Sequence, residues 1–346
     1  MSEEQPLKGI ERERVTQWLA ETLPRAAPPF AFRLIAAGGS NLTYRVEDAH
    51  GGAFILRRPP VAGALATAHD MGREWRIMHA LGAHAPQVPV PAMLAFCDDP
   101  AVTGAPFYVM EFVDGLILRD RAGAADMDVA ACRAAMRSLV ATQAAFHTLD
   151  PAAVGLGDLG KHEGYVARQL SRWRRQVEAS KTRDLPLLGQ LHERLGAGIP
   201  PETRRPGLAH GDYRFDNTVL GPDHCVRAVL DWELCTIGDP VADFFWSLMY
   251  WAEPEDEISF LPDPPTRLPQ FPRRAEVVAC YEEITGQALP HAAFYTAFGW
   301  WKQACIVEGV YARLVKGASG GMKTAPPEQV ARIVERYLER AASALA

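Results

Sequence analysis

The chain has 346 residues, 48% of them apolar and 23% charged, which suits roughly two globular units of about 150 residues each and excludes a stapled mini-protein, a disordered tail or a fibrous repeat. Its 36 basic and 42 acidic side chains leave a formal net charge of −6 at pH 7, so no overall cationic field recommends a nucleic-acid partner. The six cysteines (Cys97, Cys132, Cys225, Cys235, Cys280 and Cys305) stand at least 10 positions apart with no CxxC pair, which argues against zinc or disulfide scaffolding.

The first residues lack a cationic segment followed by an apolar run, and no stretch of about 18 apolar residues occurs further on, so a cytoplasmic protein without a membrane partner is expected. Residues 11–23 carry Val15, Trp18, Leu19 and Thr22 at helical spacing, stopped by Pro24, Pro28 and Pro29. Three short β-like runs follow, at 30–35, 42–46 and 53–56, separated by glycine-rich turns; they predict an antiparallel meander. Met71, Trp75, Met78 and Leu81 then mark a helix, closed by Pro86, Pro89 and Pro91, and two further strands are expected at 93–96 and 106–112. From about residue 125 the pattern is mostly helical, with helices predicted at 131–146, 165–179, 294–314 and 327–344. One strand–turn–strand unit, residues 218–230 around Gly221-Pro222-Asp223-His224, interrupts that helical half. Residues 253–272, with six prolines, read as an irregular surface loop.

The chemistry concentrates around this interruption. His210-Gly211-Asp212 places an aspartate 5 positions before Asn217, and Asp231 follows Asn217 by 14. Antiparallel pairing of the intervening strands brings Asn217 and Asp231 to the same end of the ribbon. An amide oxygen beside a carboxylate suits Mg2+, a hard cation that completes its shell with water and substrate phosphates. Asp212 is then placed to orient an acceptor hydroxyl and take its proton during phosphoryl transfer. Taken singly, Asp212 and Asn217 also read as ordinary turn residues. In the N-terminal half, Gly38-Gly39-Ser40-Asn41 between two strands can bring backbone N–H groups over ATP phosphates, although an ordinary hairpin turn has the same composition.

The set HGD-x4-N followed by LDWE resembles the aminoglycoside phosphotransferase and choline kinase-like family, relatives of protein kinases that phosphorylate small molecules. The resemblance implies an α+β fold of two lobes like a protein kinase: a small antiparallel β-sheet N-lobe with one main helix, and a larger, mostly helical C-lobe. It divides the chain into an N-terminal helix and linker (1–29), a nucleotide-binding N-lobe (30–112) and a catalytic, acceptor-binding C-lobe (113–346). It implies Asp212 as catalytic base and Asn217 and Asp231 as metal ligands, with ATP and Mg2+ as cofactors. Arg57 stands where the family usually has a phosphate-binding lysine, Glu74 on the following helix is its expected ion-pair partner, and Glu111 to Val113 form the hinge that meets the base. Glu233 resembles a further carboxylate position near a second Mg2+, or is a solvent-facing strand residue. Gly211 replaces the arginine of the protein-kinase catalytic loop, and only 7 residues separate Asp231 from Asp239. Without room for a long activation segment, the acceptor is expected to be a small hydroxylated molecule.

The segments FILRRPP, GYVARQLSRWRRQVEAS and DWELCTIGDPVADF further resemble the branch of this family found fused to, or encoded near, acyl-CoA dehydrogenases, which implies a hydroxyacyl-CoA as the favoured acceptor. Arg168, Arg172 and Arg175 at helical spacing form either an anion-binding wall or a solvated basic face. Phe294, Phe298, Trp301 and Cys305 line either an acyl pocket or a core helix. The acidic run Glu253, Glu255, Asp256 and Glu257 keeps a cationic aminosugar, and so an aminoglycoside or other small-alcohol kinase, as an alternative. A nucleotide-binding pseudokinase is the other, suggested by Arg57 and the incomplete glycine loop.

Overall fold

In chain order the elements are α1 (Arg12–Thr22), β1 (Ala31–Ala37), β2 (Leu42–Glu47), β3 (Ala53–Arg58), α2 (Met71–His84), β4 (Met93–Cys97), α3 (Pro100–Thr103) and β5 (Phe107–Glu111), followed by α4 (Val129–Thr148), α5 (Tyr165–Ser180) and α6 (Pro186–Ala197). Then come β6 (Gly207–Ala209), β7 (Thr218–Leu220), β8 (Val226–Val229), β9 (Thr236–Gly238), α7 (Pro240–Leu248), α8 (Arg274–Thr285), α9 (Ala292–Val315) and α10 (Pro327–Ala344). This computed structural model describes residues 7–37, 41–61, 70–317 and 325–346. The predicted meander is β1–β3, and the long helices fall where the periodicity puts them. Sequence reading omits α6, although its buried Leu188, Leu191 and Leu195 stand at helical spacing, and α8, which buries only Val277, Cys280 and Tyr281. It also omits β6 and β9, whose three residues cannot show an alternation.

The chain groups into two units, one of Met1–Leu116, Val154–Leu156 and Asn217–Leu234, the other of Ile117–Ala153, Gly157–Asp216 and Cys235–Ala346. The first is built on a five-stranded antiparallel sheet of order β1-β2-β3-β5-β4. Alternation along β3 and β5 sends Phe54, Leu56, Phe107 and Val109 into a core with Val15 and Leu19 of α1. Burying each of these large side chains is worth about 1.5–3 kcal/mol. The intervening residues Ile55, Arg57 and Tyr108 therefore point to the opposite face, where α2 lies: the Trp75 ring of α2 lies tilted beside Phe96 and Tyr108, at 5.8 and 6.5 Å between ring centroids. Although its sequence lies within the helical half, the β7–β8 hairpin groups with this sheet unit.

The second unit is helical around α9, which packs against α5, α6, α7 and α10. Asp239 caps α7, accepting from Val241 N at 2.8 Å with Pro240 in the first turn, the preferred start for a helix. Phe294, Phe298, Trp301 and Cys305 are all buried, and the Trp301 indole donates to Leu188 O at 3.0 Å. They are core, which removes the acyl-pocket reading. Among the described residues no helix is long and apolar enough to cross a membrane, and all six cysteines are thiols.

Candidate active site

Two clusters hold the residues singled out above. In the first unit, β3 pairs Arg57 opposite Tyr108, and α2 brings Glu74 onto the same face, so that Arg57 Nη1 lies 3.1 Å from Glu74 Oε1. The other arm of the guanidinium, Nη2, pairs with Asp231 Oδ1. Arg57 is 8% exposed and Glu74 is 0% exposed; the solvated helix face that an isolated glutamate suggests is not where Glu74 sits. Burial opposes both charges. It pushes the Glu74 carboxyl up, against the pull of Arg57. For Arg57 burial acts downward, yet the surrounding Tyr108, Glu74 and Asp231 hold the guanidinium well above its ordinary value.

The β7–β8 hairpin sets Asp231 and Asn217 at its open end: Thr218 pairs with Val229, and Leu230 N donates to Asn217 O at 2.9 Å. Asp231 leaves the strand with φ +64°, a left-handed turn that aspartate tolerates better than most residues. Asn41, buried just before β2, donates from Nδ2 to Glu233 Oε2 at 3.3 Å. Gly38, Gly39 and Ser40 lie outside the described residues. Glu111 ends β5 with its N–H donating to Ala92 O at 2.8 Å and its carboxylate accepting from Ala92 N at 3.2 Å, so both groups are engaged within the sheet. Val113 is half-buried just beyond. Gly115 then passes so close to the Leu220 carbonyl that a Cβ there would collide with it, while Leu116 and Leu220 exchange two backbone hydrogen bonds of 2.8 Å.

In the second unit, the loop after β6 carries Asp212. It is held by the buried Asp243 of α7, whose Oδ2 accepts from His210 N at 3.1 Å and whose Oδ1 accepts from Gly211 N at 2.9 Å. His147 Nε2 lies 3.1 Å from Asp243 Oδ2, and its Nδ1 lies 2.7 Å from the Tyr281 hydroxyl. Burial alone would raise the Asp243 carboxyl; the hydrogen bond and charge of His147, the nearby His210 and the Gly211 N–H together hold it below the usual range. Gly211 has φ +82°, a conformation open to glycine, and its carbonyl accepts from Trp246 Nε1 at 2.8 Å. Asp212 thus rides on a loop whose neighbouring backbone groups are fixed. Arg214 Nε lies 3.4 Å from Asp212 Oδ1 and 3.0 Å from Asp216 Oδ1, and the Tyr250 hydroxyl, pushed far up by burial and by Asp212, hydrogen-bonds to that aspartate. Tyr250, Trp246 and His147 escape a sequence reading because only the folded loop shows what they touch.

The acidic loop is not an open negative field. Glu253 and Asp256 pair with Arg274, Glu255 with Arg273 and Glu257 with Arg336. On α5, Arg168 donates to Lys161 O at 2.8 Å, Arg172 lies over the Trp173 ring and Arg175 donates to Ser171 Oγ at 2.7 Å.

Comparison with known proteins agrees with this architecture. Over 335 residues the chain is 32% identical to acyl-CoA dehydrogenase family member 11 of Gallus gallus, covering 93% of this chain and 42% of that protein. It is 34% identical to the Homo sapiens protein of the same name, covering 81% of this chain and 36% of that one; the chain spans about two fifths of the length of these relatives. A solved Ralstonia eutropha protein provisionally described as an aminoglycoside phosphotransferase is 32% identical, with a TM-score of 0.78 over 96% of this chain and 98% of that one. At 16% identity the GDP and kanamycin complex of APH(2")-IIia shares the fold, with a TM-score of 0.63 over 95% of this chain and 98% of that chain. Residues 31–273 match the model of the phosphotransferase enzyme family, and the chain belongs to that family.

Proposed function

We propose that the chain is an ATP- and Mg2+-dependent small-molecule kinase that phosphorylates the hydroxyl of a hydroxyacyl-CoA. The observation that carries the reading is the Asp243-anchored loop holding Asp212, followed along the chain by the hairpin whose open end is closed by Leu230 N donating to Asn217 O, next to Asp231. Asp212 accepts the proton of the acceptor hydroxyl as that oxygen bonds to the γ-phosphorus, and the bond from this phosphorus to the β–γ bridging oxygen breaks, releasing ADP. Arg57, with its bidentate fork steadied by Glu74, binds nucleotide phosphate. Gly38, Gly39, Ser40 and Asn41 contribute to phosphate binding, and the Glu111–Val113 segment meets the base.

Among the described residues no three His, Cys, Asp or Glu side chains gather into a ready-made metal cage. The oxygen pair Asn217 and Asp231 instead suits Mg2+, which takes its remaining ligands from water and phosphate. When bound, it neutralises charge on the transferring phosphoryl group.

The acceptor follows from two supports. The curated relatives carry acyl-CoA dehydrogenase in their names, and the acidic loop that would favour a cationic aminosugar is matched by Arg273, Arg274 and Arg336. A non-catalytic nucleotide sensor is the second reading, favoured by one observation: Arg57 occupies the Asp231 carboxylate. Purified protein with ATP, Mg2+ and a panel of hydroxyacyl-CoAs, aminoglycosides and amino alcohols separates these readings by product mass. Phosphorylated acyl-CoA is expected, with turnover falling roughly 10²–10⁴-fold in Asp212→Ala. Magnesium-dependent ATP binding without any phosphorylated product would favour the sensor.

A further inference from the structure

Lys302 lies in the middle of α9, is 7% exposed, and among the described residues has no hydrogen-bond or ion-pair partner. Its Nζ stands 3.5 Å from the centroid of the Trp246 ring, a cation–π contact. The charges of Asp243, Asp212 and Arg172 also act on it, but an ammonium has three donors and is costly to bury without a hydrogen bond; an apolar side chain would fill the same space at less cost. The indole that carries Lys302 is the one that donates to Gly211 O at 2.8 Å, so the cation is fixed one side chain away from the residue preceding Asp212. Next to Trp246, at 5.7 Å between ring centroids, is Tyr250, whose hydroxyl bonds to Asp212. Trp246, Met249 and Tyr250 form an apolar cluster with the partly buried Phe260 and Leu261 against it. A cation without a hydrogen-bond partner, a buried apolar cluster and the proposed base therefore stand together in the second unit.

We infer that Lys302 is the acceptor-binding cation: it donates to an acyl carbonyl or carboxylate oxygen of the acceptor, and acceptors bearing ammonium groups are repelled. The inference rests on the kinase reading and adds to it the residue that selects the acceptor. Burial pushes the Lys302 amine down to about 7, against the fields of Asp243 and Asp212, while Arg172 adds to the lowering. Such an amine gains charge readily when an oxygen with partial or full negative charge arrives beside it.

The test compares wild type with Lys302→Met and Lys302→Arg in steady-state phosphorylation of hydroxybutyryl-CoA isomers, the free hydroxybutyrates and kanamycin, with the KM for ATP followed in parallel. Loss of one charge-assisted hydrogen bond should raise the KM for the oxygen-bearing acceptor roughly tenfold or more in Lys302→Met. The KM for ATP should stay within about twofold and kcat should fall less than KM rises. Lys302→Arg should recover part of the loss. Preference for the thioester over the free acid identifies the carbonyl as the bound oxygen, and the reverse identifies the carboxylate. An unchanged acceptor KM in Lys302→Met overturns the role of Lys302 while leaving the kinase intact. If wild type phosphorylates kanamycin and no acyl acceptor, or phosphorylates nothing, the acceptor reading fails and Lys302's role falls with it. Thermal unfolding confirms that the Met variant is folded; Lys302→Gln gives the same comparison if it is not.

Discussion

Two carboxylates, Glu74 in the sheet unit and Asp243 in the helical unit, are equally cut off from solvent, at 0% and 1% exposure, yet end in opposite electrostatic states. Asp243 accepts from two backbone N–H groups and lies against His147, and these donors more than offset burial. Glu74 shares one cation with a second carboxylate, because Arg57 divides its two arms between Glu74 and Asp231, and burial prevails. Burial alone therefore does not say what a carboxylate does. A carboxylate ringed by donors builds a loop; one that competes for a shared cation belongs to a cluster that can be redistributed when another charge arrives.

The largest expected effect breaks the Asp243 side of this contrast. Asp243→Ala strands His147 and the His210 and Gly211 N–H groups together, and should destabilise the protein by about 3–5 kcal/mol in chemical denaturation. A loss under about 1 kcal/mol would mean that the loop holds without its anchor. The pH dependence has a definite sign. The folded Asp243 carboxyl lies below its unfolded value, so the advantage of wild type over Asp243→Asn is fully present above about pH 4 and is lost as pH falls through the lower folded value.

Next in size is the shared cation. Arg57→Met leaves Glu74 and Asp231 facing each other without a positive charge. It should cost about 2 kcal/mol, less than the Asp243 deletion because Glu74 can neutralise itself by taking a proton. Arg57→Lys keeps the charge but not the fork, so it should restore part of that stability. Full restoration would show that one point charge satisfies both carboxylates.

Lys302 sharpens the comparison from the cationic side. Its amine is lowered to about 7 in the folded protein, against about 10.4 when unfolded, so between these values the unfolded chain binds more protons and wild-type stability rises with pH. Lys302→Met lacks this penalty. It should be more stable than wild type by about 1–2 kcal/mol at and below pH 7, with the gain shrinking towards pH 10. Calorimetric melting of both proteins across that range checks the sign, and a destabilised Met variant at pH 7 would mean that the ammonium is satisfied where it lies.

The legible parts of this molecule are those written locally. Alternation in β3 already places Arg57 opposite the Phe54–Leu56 face, and the strand–turn–strand pattern brings Asn217 and Asp231 to one ribbon end, because both follow from a period-two backbone. Glu74 was legible as Arg57's partner through the family resemblance, but not as a fully buried one, since helix spacing around Met71 and Met78 does not say which neighbour sinks deepest. The aromatic stripe from Phe294 to Cys305 has the same spacing whether it lines a pocket or packs a core, and only the bond from Trp301 to Leu188 O decides. Lys302 and His147 carry no spacing signal at all. Their chemistry comes from Trp246, Asp243 and Tyr281, residues between 56 and 134 positions away.

The smallest effect belongs to the ion pairs that resemble the buried ones in charge but not in surroundings. Arg336 and Glu257 are paired with side chains 50% and 61% exposed, so water and salt already screen most of their attraction, and ordering two long side chains offsets much of the rest. Arg336→Ala should therefore change stability by less than about 1 kcal/mol, with the difference fading at high salt. It should also leave kanamycin unphosphorylated, since freeing one acidic side chain on the Glu253–Glu257 loop does not remove the cation at Lys302. A chemical denaturation pair at low and high salt, with a kanamycin assay on the same samples, measures both. A large, salt-insensitive loss would place this surface pair in the class of Asp243. Kanamycin turnover would instead show that the loop, and not α9, chooses the acceptor.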